Sequence, residues 1–184
     1  MSTPDFERRG TAGVTASGRT LTGYVATFGT EARIGGYSES IAPGAFKDSL
    51  ARGQDVLALL DHKPDALLGR TKSGTLSLRE DSKGLRFELK LPDTQHGRDL
   101  IALAERGDLG GMSFGFIATD EKWTGNKREL RAVDLREISV VQSWPAYQQT
   151  EIQLRHHQQC FVDREIFRWY NKLKITKNYH RRCV

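Results

Sequence analysis

Cysteine is scarce in this chain, and long apolar runs are missing. Two cysteines, Cys160 and Cys183, occur among 184 residues, both within the last 25. That count excludes a disulfide framework, and the absence of C-x-x-C or H-x-x-x-H spacing removes the usual zinc patterns. Free thiols are expected, with no metal held between them and the nearby His156, His157 and His180. The longest apolar run is Val56-Leu57-Ala58-Leu59-Leu60, far short of the roughly 20 residues a membrane-spanning helix needs. Residues 1 to 10 are polar and charged, with no apolar signal region. The expectation is an intracellular protein without a membrane role.

The size suits one domain with an appendage, large enough to bury a core without disulfides or metal. A net charge of +5 invites a nucleic-acid reading, but its distribution argues against one. Residues 155 to 184 hold eight basic and two acidic residues, or +6, which leaves residues 1 to 154 with 20 against 21, or −1. The basic character belongs to the tail, so nucleic acid is an expected partner only there. Three regions follow: a loose arm over 1–18, a folded domain over 19–154 and a basic tail over 155–184.

Apolar patterning fills in the domain. Thr20 to Phe28 reads as a strand with a bulge at Gly23, and Ile34 to Glu39 as a Gly-rich loop or short hairpin. A short helix follows Pro43 and stops at Gly53. Asp55 to Leu60 has the length of a buried strand and delivers His62 at its end. Leu67–Thr71, Thr75–Glu80 and Leu85–Leu91 form a meander, with glycines late in both turns. A helix from about His96 to Arg106 has Asp93 or Thr94 as cap and Gly107 as stop. Gly110 to Thr119 is a strand that alternates Met112, Phe114 and Phe116 with Ser113 and Gly115. Asp120–Trp123 and Lys127–Ala132 make an exposed polar hairpin, and Val133 to Val141 is a last strand. Ser143 to Tyr147 then turns the chain outward. In the tail, Phe161, Ile166, Trp169, Tyr170 and Leu173 could share one helix face.

Three polar residues stand on or beside these strands: His62, Ser113 and Glu137. A histidine can take a serine proton near neutral pH, and an acid accepting from its other ring nitrogen would fix the tautomer. Each has an ordinary alternative. Ser113 fits the small-residue face of a half-buried strand, His62 a surface histidine, and Glu137 an ion pair with Arg131 or Arg136. His96 is a rival base, at the start of a helix where solvent would surround it.

Several runs carry a resemblance: Leu59-Leu60-Asp61-His62-Lys63-Pro64, Leu68-Gly69-Arg70-Thr71 and Asp81 through Glu88. To these add Leu91-Pro92-Asp93-Thr94, Gly97-Arg98-Asp99-Leu100, Arg106-Gly107-Asp108-Leu109, Gly111 to Phe116, Glu137 to Val141, and Pro145-Ala146-Tyr147. In this order, from about Thr20 to Thr150, the chain resembles the prohead serine proteases of tailed bacteriophages, relatives of herpesvirus assemblin. The resemblance implies an α+β fold, a mixed and mainly antiparallel β-barrel surrounded by helices. It places the family's histidine on His62 and its serine on Ser113. The third member, a second histidine in the herpesvirus relative, falls where this chain has Glu137. No cofactor is implied. The implied activity is cleavage of the scaffolding segment of the major capsid protein, and of the protease itself, inside the assembling prohead in the host cytoplasm. The major capsid protein is the implied partner, with the portal and a second copy of the chain as further ones. The other reading is an inactive β-barrel module that binds assembly partners. In the protease reading, the glycines around Ser113 open a groove for an extended peptide.

Overall fold

In the computed structural model, which describes residues 6–11 and 14–143, thirteen elements succeed one another. They are β1 (Phe6–Thr11), β2 (Val14–Ser17), β3 (Thr20–Thr27), β4 (Ala32–Ile34), β5 (Tyr37–Ile41), α1 (Lys47–Ala51), β6 (Leu57–Leu60) and β7 (Lys63–Arg70). Then come β8 (Leu76–Glu80), β9 (Gly84–Lys90), α2 (Gln95–Arg106), β10 (Gly111–Thr124) and β11 (Lys127–Val141). Alternation builds the strands: in β9, Leu85, Phe87 and Leu89 are buried while Arg86, Glu88 and Lys90 face out. Caps bound α2, where Thr94 Oγ1 accepts from the Gly97 N–H and Gly107 closes the helix at φ 74°. The left-handed conformation at the end is one that glycine adopts without penalty.

The strands assemble into two sheets. One has seven strands, in the order β1-β10-β11-β5-β4 with β6 and then β7 branching from β11; the other has four, in the order β2-β3-β9-β8. β11 organises the larger sheet. One of its edges runs antiparallel along β10, while the other pairs in parallel with β5 through residues 127–130 and with β6 through residues 137–140. Apolar residues of both sheets share one core, in which Phe46 meets Phe114 edge-on at 5.7 Å and Phe114 stacks on Phe116 at 5.2 Å. Glu80 of β8 accepts from the N–H groups of Gly44 and Phe46, and Ser49 of α1 accepts from the Leu135 N–H. The turn before α1 and the helix itself are thereby tied to both sheets.

This architecture corrects the expected barrel. The protein is mostly β, both sheets are open, and the described residues contain two helices, one of only five residues. A barrel requires its first and last strands to pair; here the apolar faces of two open sheets enclose the core instead. The loose arm is also corrected, since residues 6–11 and 14–17 are strands on β10 and β3. Glu7, Arg8 and Arg9 conceal β1 from an apolar pattern because their burial is satisfied by ion pairs. The strand and polar hairpin expected between Gly110 and Val141 merge into two long strands of 14 and 15 residues. Three register shifts interrupt their pairing. The tail over 155–184, with Cys160 and Cys183, lies outside the described residues, as do the Trp144–Tyr147 part of the outgoing turn.

Candidate active site

His62 stands in a two-residue turn. Leu60 of β6 pairs with Lys63 of β7, so Asp61 and His62 alone connect the strands, with φ of 48° and 61°. Such hairpin turns need positive φ at both central positions, which asparagine and glycine adopt readily. A side chain there costs on the order of 1 kcal/mol or more. Two bonds from Asp61 to the end of β11 compensate. Its N–H donates to the Val140 carbonyl, and its Oδ1 accepts from the Gln142 N–H, both at 2.9 Å. The turn is thus fastened beside Glu137, and His62 Nδ1 lies 2.8 Å from Glu137 Oε1.

Glu137 sits where β11 carries an extra residue. Gly115 pairs with Glu137 and Phe116 with Leu135, so Arg136 is unmatched and the strand is locally re-aimed. The carboxylate then crosses the face of β10 at Gly115. A Cβ at that glycine would come within 2.8 Å of both Glu137 Cγ and Oε1, and within 2.3 Å of the Phe6 ring. The absent side chain is the space the carboxylate uses. Arg8 Nε donates to Oε1 at 3.1 Å, and Ser139 Oγ to Oε2 at 3.1 Å. Burial pushes the Glu137 carboxyl up, but the hydrogen bond and charge of His62, together with Arg8, more than offset it. The net position lies below a glutamate's ordinary 4.5.

Because Glu137 is held ionised, His62 Nδ1 is the donor in their contact, and Nε2 is the ring nitrogen that can accept a proton. Ser113 lies on the same face of the sheet, opposite Ser139 on β11 and Gly10 on β1, two residues along from the Gly115–Glu137 pair. Its side is not the exposed small-residue face that alternation suggests: every residue from Gly111 to Phe116 is buried. Ser113 is only 6% exposed, and its Oγ donates to the Arg9 carbonyl at 2.8 Å. His62 and Glu137 are therefore in contact, while the serine hydroxyl is engaged with β1.

The remaining expectations fall elsewhere. His96 is exposed in the first turn of α2. Arg136 and Arg131 pair with Asp134 and Glu129, leaving Glu137 to His62 and Arg8. Among the described residues, the space over Gly115 is taken by Glu137 and Phe6, and β1 pairs along the edge of β10, so the expected peptide groove is not open at Gly115. Sequence reasoning passed over Ser139 and Arg8. Ser139 had a signal, its spacing of two from Glu137 along a strand, which places both on one face. Arg8 had none, because β1 was not visible as a strand.

A family model described as caudovirus prohead serine protease matches residues 5–162, a span that includes β1 through β11. No curated protein and no solved structure matches the chain.

Proposed function

The chain belongs to the caudovirus prohead serine protease family, and from that premise we propose that it is a capsid-maturation endopeptidase with Ser113 as nucleophile, His62 as general base and Glu137 orienting His62. The observation that carries this reading is the 2.8 Å contact between His62 Nδ1 and Glu137 Oε1, formed on the sheet face that holds Ser113. Substrates are the scaffolding segment of the major capsid protein and the protease itself, met inside the assembling prohead.

In this reading the three residues divide the chemistry among them. Rotation of Ser113 about its Cα–Cβ bond releases Oγ from the Arg9 carbonyl. His62 Nε2 takes the hydroxyl proton as Oγ bonds to the scissile carbonyl carbon, and Glu137 stabilises the imidazolium across Nδ1. The imidazolium returns its proton to the leaving amine, which departs and leaves an acyl group on Ser113. Water, deprotonated by His62, then attacks the acyl carbon and restores the serine.

One observation favours the noncatalytic reading, a module that binds assembly partners: the Ser113 hydroxyl is buried and already bonded to Arg9. Incubation of the purified protein with its capsid precursor, beside labelling by a serine-directed fluorophosphonate, separates the two. The protease reading expects the unmutated chain to process the precursor and to carry the label on Ser113, with both lost in Ser113→Ala. Equal processing by the two forms overturns it.

A further inference from the structure

His62 meets Glu137 from a place where side chains ordinarily face water. It is the second residue of the two-residue turn between β6 and β7, yet its side chain is only 12% exposed and Nδ1 lies 2.8 Å from Glu137 Oε1. The register shows what the turn must accomplish. Leu57 is level with Glu137 and Leu60 with Val140. A strand continued past Leu60 would bring residue 62 beside Gln142, five residues beyond Glu137 on β11, or roughly 16 Å along the strand. The chain has to reverse at once, and φ of 48° at Asp61 and 61° at His62 reverse it.

Asp61 ties this reversal to β11. Its N–H extends the parallel ladder by donating to the Val140 carbonyl. In a continued ladder the next bond would run from the Gln142 N–H to the main-chain carbonyl of residue 61. The chain has already turned there, and Asp61 Oδ1 accepts that bond instead, at 2.9 Å. A side-chain oxygen thus stands in for a main-chain one, and the attachment to β11 runs one step beyond the strand. Glycine would adopt the same φ but offers no such oxygen. Aspartate and asparagine combine tolerance of a left-handed φ with a short acceptor. Among the described residues Asp61 enters no ion pair, so the group it holds is a neutral amide.

We propose that Asp61 is a positioning residue of this site: its Oδ1, rather than its charge or its tolerance of a left-handed φ, holds the turn to β11 so that the His62 ring meets Glu137. The catalytic consequence rests on the protease reading above; the placing of the ring does not.

The test compares Asp61→Asn, Asp61→Gly and Asp61→Ala in the full chain. Asparagine keeps the acceptor and the φ without the charge, glycine keeps the φ alone, and alanine keeps neither. Placement of the ring is read by nitrogen NMR of ring-labelled histidine where the ring is neutral, with the His62 signals assigned by their loss in His62→Gln. A ring held at Glu137 shows a protonated Nδ1 and a bare Nε2, whereas a released ring averages its two tautomers. Asp61→Gly and Asp61→Ala should move the signals toward that average and lower kcat on the capsid precursor roughly 10- to 100-fold with KM kept. Asp61→Asn should rescue both. If Asp61 served only as a turn former, Asp61→Gly would leave ring signals and kcat unchanged, and that result overturns the proposal. Failure of Asp61→Asn to rescue overturns it as well, since the charge would then be the active property. If Asp61→Gly does not fold, Gln142→Pro deletes the donor and leaves the turn intact; the ring signals must again move, and unmoved signals overturn the proposal. Should the unmutated chain cleave nothing while the ring signals respond as stated, the protease reading fails and the placing of His62 by Asp61 stands.

Discussion

Arg8 and Arg9 are neighbours on β1, point to opposite faces of one sheet, and enter two different buried clusters. Arg9 joins Arg128, Glu7, Glu39 and Glu121 in a network of guanidinium–carboxylate contacts, among them Arg9 Nη2 to Glu39 Oε2 at 2.8 Å and Arg128 Nη1 to Glu39 Oε2 at 3.0 Å. Arg8 joins Glu137, His62 and Ser139. The first cluster is built from guanidinium and carboxylate groups, with no imidazole among them, and it holds β1, β5, β10 and β11 together. The second contains one group able to change charge, presented from a turn with two residues in the left-handed region. Burial and ion pairing alone do not mark a catalytic site; a titratable member held in a costly backbone conformation does so far better.

That contrast can be broken by experiment. Glu137→Gln should show the largest effect, a fall in kcat on the capsid precursor of about 10⁴-fold, since the amide no longer holds the required tautomer; retention of most of the rate would place Glu137 among the purely structural acids. Glu39→Gln should do the opposite. It strands Arg9 and Arg128 in a buried site, so urea unfolding should show a loss of about 3 kcal/mol, while the folded fraction keeps its kcat/KM. An effect on kcat/KM comparable to that of Glu137→Gln would erase the distinction between the clusters.

What could be read beforehand follows the same line. The meander from β7 to β9 and the caps of α2 depend on neighbours in sequence, and alternation and end residues disclose them. His62, Ser113 and Glu137 could be singled out by residue type and by resemblance. Their pairing was an expectation of residue type; how the fold brings His62 onto Glu137 was not legible, because it depends on parallel pairing of β6 with β11 and on the bulge at Arg136. β1 stayed hidden because its charges are neutralised by residues 30 to 129 positions away. The expected barrel failed for a related reason: edge closure is a property of distant pairings, and no local pattern reports it.

Two smaller effects sharpen the comparison. Gly115→Ala should cost about 2 kcal/mol in thermal or urea unfolding and also lower kcat, because the new methyl displaces Glu137 as well as Phe6. A loss of stability with kcat intact would mean that the carboxylate is free to shift. The acid response should be the smallest. Glu137 and Glu7 both lie below their ordinary 4.5 in the folded protein, so their contributions are complete above that value and are lost as pH falls through the lower folded positions. In unfolding scans from pH 6 downward, stability should decline below about pH 4.5, and Glu137→Gln should flatten part of that decline; an unchanged slope would show that Glu137 takes no share in it.

The pairing of β6 with β11 also bears on when the candidate site can be completed. His62 meets a carboxylate 75 positions further along the chain, and Arg8 reaches the same carboxylate across 129. During synthesis, neither contact can exist until β11 has left the ribosome and taken its place between β10 and β6. A nascent chain therefore carries its serine and its histidine for most of its length with no carboxylate to join them. On the protease reading proposed above, topology alone delays completion of the site until β11 is in place, before any partner acts on it.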